Sequence, residues 1–134
     1  IKILQYNINI KINININIKC IYKGGKIMVN SKVKNVTAEE AYKLISDNKE
    51  FIILDVRTKD EYDNGHIPGA KLLPVNILSM KLAQLNKYKD KPVLVYCASG
   101  GRSPRAVDTL VNNDFENIYH LSRGISSWRY SLAR

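Results

Sequence analysis

Within seven residues, Cys97-Ala98-Ser99-Gly100-Gly101-Arg102-Ser103 brings together a thiol, two glycines, two hydroxyls and a guanidinium. Small residues and paired glycines let a backbone curl until successive N–H groups converge, and such a nest holds anionic oxygens or a sulfur anion. A helix starting near Ser103 would add its positive end and its own unpaired N–H groups. A thiolate in that setting is stabilised, its pKa falls, and it becomes a nucleophile at neutral pH. Arg102 supplies a permanent positive charge that either clamps an incoming anion or braces the loop. No histidine stands near Cys97 in sequence to act as general base, and an anion nest does not require one. The competing reading is a plain strand-to-helix turn, with Cys97 a small buried hydrophobe and the glycines serving only the turn.

Elsewhere the chemistry-bearing residues are sparse. Cys20 and Cys97 lie 77 positions apart, and the two histidines are His66 and His120. That set has no zinc spacing and is too small for a disulfide-rich scaffold. No metal or cofactor is implied, and a Cys20–Cys97 bridge stays open. The net charge of +9 suggests nucleic acid until it is divided along the chain. Residues 1–35 carry seven Lys and no acid, whereas residues 36–134 carry 14 Lys plus Arg against 12 Asp plus Glu. The excess belongs to the leader, and no basic patch interleaved with aromatics argues for nucleic acid. No apolar run approaches the roughly 18 residues that span a membrane, and no signal-like apolar core follows the start. A cytoplasmic location is the expectation.

The elements that must position the loop follow from pattern. With 134 residues, 45% of them apolar and 25% charged, the chain suits one globular domain with an ordinary core. In the leader, every second residue from Ile8 to Ile18 is Ile, alternating with Asn or Lys, which is the period of a strand with one apolar face. Three readings are open for residues 1–35: an extra strand, an aggregation-prone edge, or translated low-complexity sequence that never folds. Ile, Asn, Lys and Tyr all have A/T-rich codons, and Met28 stands just ahead of the conventional part, so a start there is a further reading. From Val36 the signals are conventional. Thr37 with Glu40 forms a capping box, followed by the apolar stripe Ala41, Leu44 and Ile45. Phe51 to Leu54, ending in Asp55, reads as a strand buried on both faces. Thr58 with Glu61 opens a brief helix that Asn64-Gly65 closes.

Past Pro68-Gly69, Ala70–Val75 is a weaker strand, and Ile77–Leu85 a helix with Leu78, Leu82 and Leu85 on one face. Val93 to Tyr96 is a second fully apolar strand, delivering Cys97 at its end. Ser103–Val111 reads as a helix with Ala106, Val107, Leu110 and Val111 inward. Ile118-Tyr119 is a last strand, and Ser126 or Ser127 would cap a final helix carrying Trp128. Strands alternating with helices indicate, over residues 36–134, an α/β domain with a mainly parallel central sheet and helices on both faces. Ligands of such sheets bind beyond the carboxyl ends of the strands, where Asp55 and Cys97 both stand.

Three stretches carry a resemblance: Asp55-Val56-Arg57 with Glu61 beyond it, Gly65-His66-Ile67-Pro68-Gly69-Ala70, and the Cys97–Ser103 loop. Together they resemble the single-domain rhodanese, or thiosulfate sulfurtransferase-like, family over residues 36–134. Gly124-Ile125 and Trp128 resemble its C-terminal signature, with Arg123 where a second glycine is common. The resemblance implies a rhodanese-like fold and a catalytic Cys97 that takes sulfane sulfur from a donor, holds it as a persulfide, and passes it to cyanide, a thiol or a partner protein. Ala98, Ser99, Gly100, Gly101, Arg102 and Ser103 would form the substrate-binding cradle. Asp55, Arg57 and His66 would support the site by anchoring loops, and His120 and Trp128 would be structural.

Two rivals accompany this reading: a non-enzymatic protein-binding or sulfur-carrier module, and a cysteine-dependent phosphatase. The related phosphatases carry a loop one residue longer from Cys to Arg, so the six residues Cys97–Arg102 fit sulfur chemistry better. Ala98 and Ser99 are neutral where thiosulfate-using relatives often carry a basic residue. The expected donor is therefore a small sulfane-sulfur compound (thiosulfate, persulfide or polysulfide), weighted toward a persulfide or a protein thiol partner.

Overall fold

The computed structural model describes the backbone of residues 2–10, 14–23 and 26–30, and backbone with side chains over residues 32–134. Strands β1 (Lys2–Ile10), β2 (Ile14–Lys23) and β3 (Lys26–Asn30) form an antiparallel sheet in which Ile8 pairs with Ile16 and Cys20 with Val29. The side chains of residues 1–31 lie outside the described residues, Cys20 and its bridging option among them.

The second sheet is five-stranded and entirely parallel. Its strands are β4 (Val33–Val36), β5 (Ile52–Asp55), β6 (Lys71–Leu72), β7 (Val93–Tyr96) and β8 (Ile118–Leu121), in the spatial order β4-β8-β7-β5-β6. Parallel strands need crossovers that cover both faces, which is why the central strands are apolar throughout. All four residues of β7 are buried. Val93 and Val95 face a core layer built on Leu54, Ala106, Val107, Leu110, Phe115 and Ile118. Leu94 and Tyr96 face the opposite layer, with Val36, Ala41, Ile53, Ile67 and Leu121. The alternation of side chains along a strand thereby sends Tyr96 and Cys97 to opposite faces of the sheet.

Helix α1 (Ala38–Asp47) and helix α2 (Lys59–Asp63) both begin in complete capping boxes, Thr37 with Glu40 and Thr58 with Glu61. Helix α4 (Ser103–Asn112) buries Ser103, Ala106, Val107 and Leu110 and leaves Val111 half-buried. Between β6 and β7 the chain departs from the expected single helix. A 3₁₀ turn at Leu78–Lys81 leads into α3 (Leu82–Leu85), and a second 3₁₀ turn follows at Asn86–Tyr88. None of the three has a side-chain cap, and a segment this short without one does not sustain a regular helix.

Only Lys71–Leu72 of the stretch Ala70–Val75 forms a strand, because Leu73 and Val75 donate instead to the carbonyls of Asp55 and Val56 around the end of β5. The final helix is a 3₁₀ turn, Ile125–Ser127, entered through Gly124 at φ 66°. Ser126 and Ser127 donate back to the carbonyls of Arg123 and Gly124 rather than capping a helix. Trp128 follows in extended backbone, half-buried against Tyr42 and Tyr130 and packed on the edge of the core layer that holds Leu94 and Tyr96. Strand β4 begins at Val33, pairing with β8. An edge strand of four residues with Lys and Asn at its centre has no apolar run to announce it.

Candidate active site

The loop leaves β7 at Cys97 and enters α4 at Ser103. Its outer side is tied down by the segment after β8: Ile125 N–H donates to the Cys97 carbonyl at 3.0 Å and Ser126 N–H to the Ala98 carbonyl at 3.0 Å. With carbonyls engaged outside, N–H groups are left for the inside. Gly100 N–H donates to Cys97 Sγ at 3.1 Å. Two glycines make this approach possible. Gly100 has φ 99°, and a Cβ there would sit 2.1 Å from the Ser122 carbonyl oxygen. Gly124 has φ 66°, and its Cβ would sit 2.4 Å from the Ala98 carbonyl oxygen. No side chain fits either position.

Cys97 is 1% exposed, and its sulfur lies 3.3 Å from Ser103 Oγ. Burial pushes the thiol up. Hydrogen bonds from the Ser103 hydroxyl and from the N–H groups of Ser103, Arg102 and Gly100 outweigh it and hold the thiol below the ordinary cysteine value. Ala98 and Gly100 are half-buried, while Ser99 and Gly101 face solvent.

The Arg102 fork is already occupied. Nη1 and Nη2 donate to the two carboxylate oxygens of Glu61 at 2.7 and 2.8 Å. This bidentate pair, together with the Thr58 capping bonds, holds the Glu61 carboxyl down at about 2. It joins the loop to the start of α2.

Asp55, Arg57 and His66 form a separate network. The buried Asp55 carboxylate accepts from Arg57 N–H at 3.0 Å, Arg57 Nε at 2.9 Å, Arg57 Nη2 at 2.6 Å and Tyr96 O–H at 2.7 Å. Arg57 Nη2 also donates to the Gly65 carbonyl at 2.7 Å, and Tyr96 Oη accepts from Ile67 N–H at 3.2 Å. His66 stacks on Tyr62 with centroids 3.7 Å apart, donates from Nδ1 to the Tyr62 carbonyl, and exchanges backbone bonds with Ala133. These three residues make no hydrogen bond to Cys97; they lock the Gly65–Ala70 stretch and α2 to β5 and β7.

Sequence reasoning missed three participants. Tyr96 is the polar pin of the Asp55 network, and the only local signal was a tyrosine ending an otherwise aliphatic run. His120 Nε2 lies 2.6 Å from Ser103 Oγ, and its Nδ1 lies 3.0 Å from Asn35 Oδ1. Neither contact has a local signature, since 17 and 85 positions separate the partners. Glu61 was noted for its motif position, not as the partner of Arg102. Among the described residues no group of three or more His, Cys, Asp or Glu side chains could hold a metal ion, and no helix is long and apolar enough to cross a membrane.

Comparison with known proteins agrees with this geometry. The chain is 35% identical over 101 residues to the uncharacterized protein YibN of Escherichia coli, covering 75% of this chain and 70% of that one. It is 34% identical over 101 residues to the thiosulfate sulfurtransferase GlpE of Coxiella burnetii, covering 72% and 87%. The crystal structure of a rhodanese-like domain protein from Staphylococcus aureus superposes with a TM-score of 0.67 at 31% identity, over 75% of this chain and 96% of that one. The model of the rhodanese-like domain matches residues 37–131, and the chain belongs to that family.

Proposed function

We propose that this chain is a sulfurtransferase that carries sulfane sulfur as a persulfide on Cys97. The observation that bears most weight is the buried Cys97 sulfur at the end of β7, receiving the Gly100 N–H at 3.1 Å and held below the ordinary thiol range by the loop around it. The Cys97 thiolate attacks the outer sulfur of a donor, the donor's sulfur–sulfur bond breaks, and sulfite or a thiolate leaves with that bond's electron pair. The terminal sulfur of the resulting Cys97 persulfide is an anion, and the loop N–H groups that stabilise the thiolate, those of Gly100, Arg102 and Ser103, serve it as well. An acceptor thiolate, cyanide or a protein thiol then attacks that terminal sulfur, and Cys97 leaves as thiolate.

Arg102 is engaged by Glu61, and Ala98 and Ser99 bring no charge. A doubly charged donor such as thiosulfate therefore has less to hold it than a singly charged persulfide or polysulfide. Incubation with a donor panel, read by intact mass, tests the reading. A gain of about 32 Da, one sulfur atom, lost on cyanide treatment and absent in Cys97→Ser, is the expected result. No adduct with thiosulfate, polysulfide or a small persulfide would overturn it.

A further inference from the structure

Four side chains from three elements and the β7–α4 loop form one hydrogen-bonded line at the thiol. Cys97 Sγ lies 3.3 Å from Ser103 Oγ, Ser103 Oγ lies 2.6 Å from His120 Nε2, and His120 Nδ1 lies 3.0 Å from Asn35 Oδ1. Ser103 is fully buried and His120 8% exposed, whereas Asn35 sits at the exposed edge of β4. The amide oxygen of Asn35 only accepts, so Nδ1 carries the ring hydrogen and Nε2 is a bare acceptor. Ser103 accordingly donates to Nε2 and accepts from the Cys97 thiol. Both hydrogens between the sulfur and the ring point toward the imidazole.

Such a line has a second state with these two donors reversed while Nδ1–H stays on Asn35: His120 Nε2–H donates to Ser103 Oγ, and Ser103 O–H donates to a Cys97 sulfur anion. The two states differ by one proton moved from sulfur to imidazole. We propose that His120, reached through Ser103, takes the proton of Cys97 when the persulfide forms and returns it when the sulfur leaves. This rests on the sulfurtransferase reading, and it closes that cycle's proton balance inside the protein. Cys97–SH and a donor R–S–S⁻ give Cys97–S–S⁻ and R–S⁻ with one proton on His120. Cys97–S–S⁻ and an acceptor thiolate then give Cys97–SH and the acceptor persulfide as that proton returns.

The surroundings suit a proton that is held only while the anion is present. Burial lowers the His120 pKa, so the ring is neutral in the resting thiol form. The described charged groups on the elements packed around it are otherwise engaged or turned outward. Lys34 of β4 lies over the Tyr119 ring on the opposite face, Arg102 is paired with Glu61, and Arg105, Asp108 and Arg123 are exposed. From β7, the residue in register with His120 is Val95. Cys97 is thus the titratable group connected to the ring.

The test reads the thiolate directly, so that it stands apart from any donor. The rate at which iodoacetamide alkylates Cys97 is followed against pH on the Cys97-containing peptide, because the sequence holds a second cysteine, Cys20. Asn35→Asp replaces the amide by a carboxylate that favours the imidazolium. The midpoint of the Cys97 profile should fall by about one pH unit, the lower end of the effect of an adjacent opposite charge. In Ser103→Ala the line is cut, the midpoint should rise, and adding Asn35→Asp should then change nothing. If Ser103→Ala does not fold, His120→Gln, which cannot take a proton, serves as the cut. An unmoved or raised midpoint in Asn35→Asp, or a fall that survives the cut, would overturn the relay. A parallel intact-mass measurement with a persulfide donor separates the two ideas: a normal relay response without any sulfur adduct sinks the sulfurtransferase reading instead.

Discussion

Replacing Tyr96 by Phe removes a single oxygen from the centre of the Asp55 network. That hydroxyl donates to Asp55 Oδ2 at 2.7 Å and accepts from Ile67 N–H at 3.2 Å, and both Tyr96 and Ile67 are fully buried. Burial first, then the Asp55 carboxylate, pushes the phenol far above the tyrosine range, so it is a neutral donor at any working pH. A bond to a charged acceptor contributes about 1.5–3 kcal/mol, and a buried N–H left without a partner costs about 1–3 kcal/mol. Phe fills the same ring volume, so little cavity cost is added, and Asp55 keeps its Arg57 donors, so the total lies toward the lower end of that sum, about 3 kcal/mol. For a domain of this size, with a urea slope of about 1–1.5 kcal/mol per molar, the midpoint should drop by about 2–3 M. Cys97 lies on the opposite face of the sheet, so the alkylation profile of the folded protein should stay in place. A loss below about 1 kcal/mol in urea unfolding would refute the claim that Tyr96 is the pin between Asp55 and the Gly65–Ala70 stretch.

Three further expectations use the same loop. Gly124→Ala places a Cβ 2.4 Å from the Ala98 carbonyl oxygen at φ 66°, and the left-handed backbone together with overpacking should cost about 2–4 kcal/mol in thermal or urea unfolding. Gly101→Ala, where nothing lies within 4 Å of the added carbon, should stay within about 0.5 kcal/mol as its control. The Glu61–Arg102 pair predicts an acid window: the Glu61 pKa is depressed to about 2 in the folded chain, so its stabilisation is complete above the unfolded carboxylate value and fades as pH falls toward about 2. After solvent screening the pair contributes about 1 kcal/mol, and stability against pH should show that step in the native chain and lose it in Glu61→Gln. For Cys97→Ser, intact mass after donor treatment should show no cyanide-labile sulfur.

What the sequence determined was local. The Cys97–Ser103 composition, the two capping boxes and the aliphatic runs at Phe51–Leu54 and Val93–Tyr96 are short-range patterns, and each appears where its spacing implied. Alternating strands and helices likewise implied a parallel sheet with both faces covered. The apolar spacing of Ile77–Leu85 correctly placed Leu78, Leu82 and Leu85 against the core. It did not reveal that the stretch runs as a 3₁₀ turn followed by one α turn, because uncapped ends rather than apolar spacing decide how regular so short a helix is.

Only the tertiary structure decided which polar groups meet. Arg102 finds Glu61 and Tyr96 finds Asp55 across 41 positions each, and His120 finds Asn35 across 85. Such pairings depend on strand order and on which face each side chain takes. Parallel pairing of β4 and β8 sets Asn35 beside His120, and β7 joins β8 on its other edge, with α4 packed across the same face. The thiol's place at the end of β7 was therefore legible in advance. The hydrogen-bonded line that reaches it was not, because no local pattern encodes a contact made by folding.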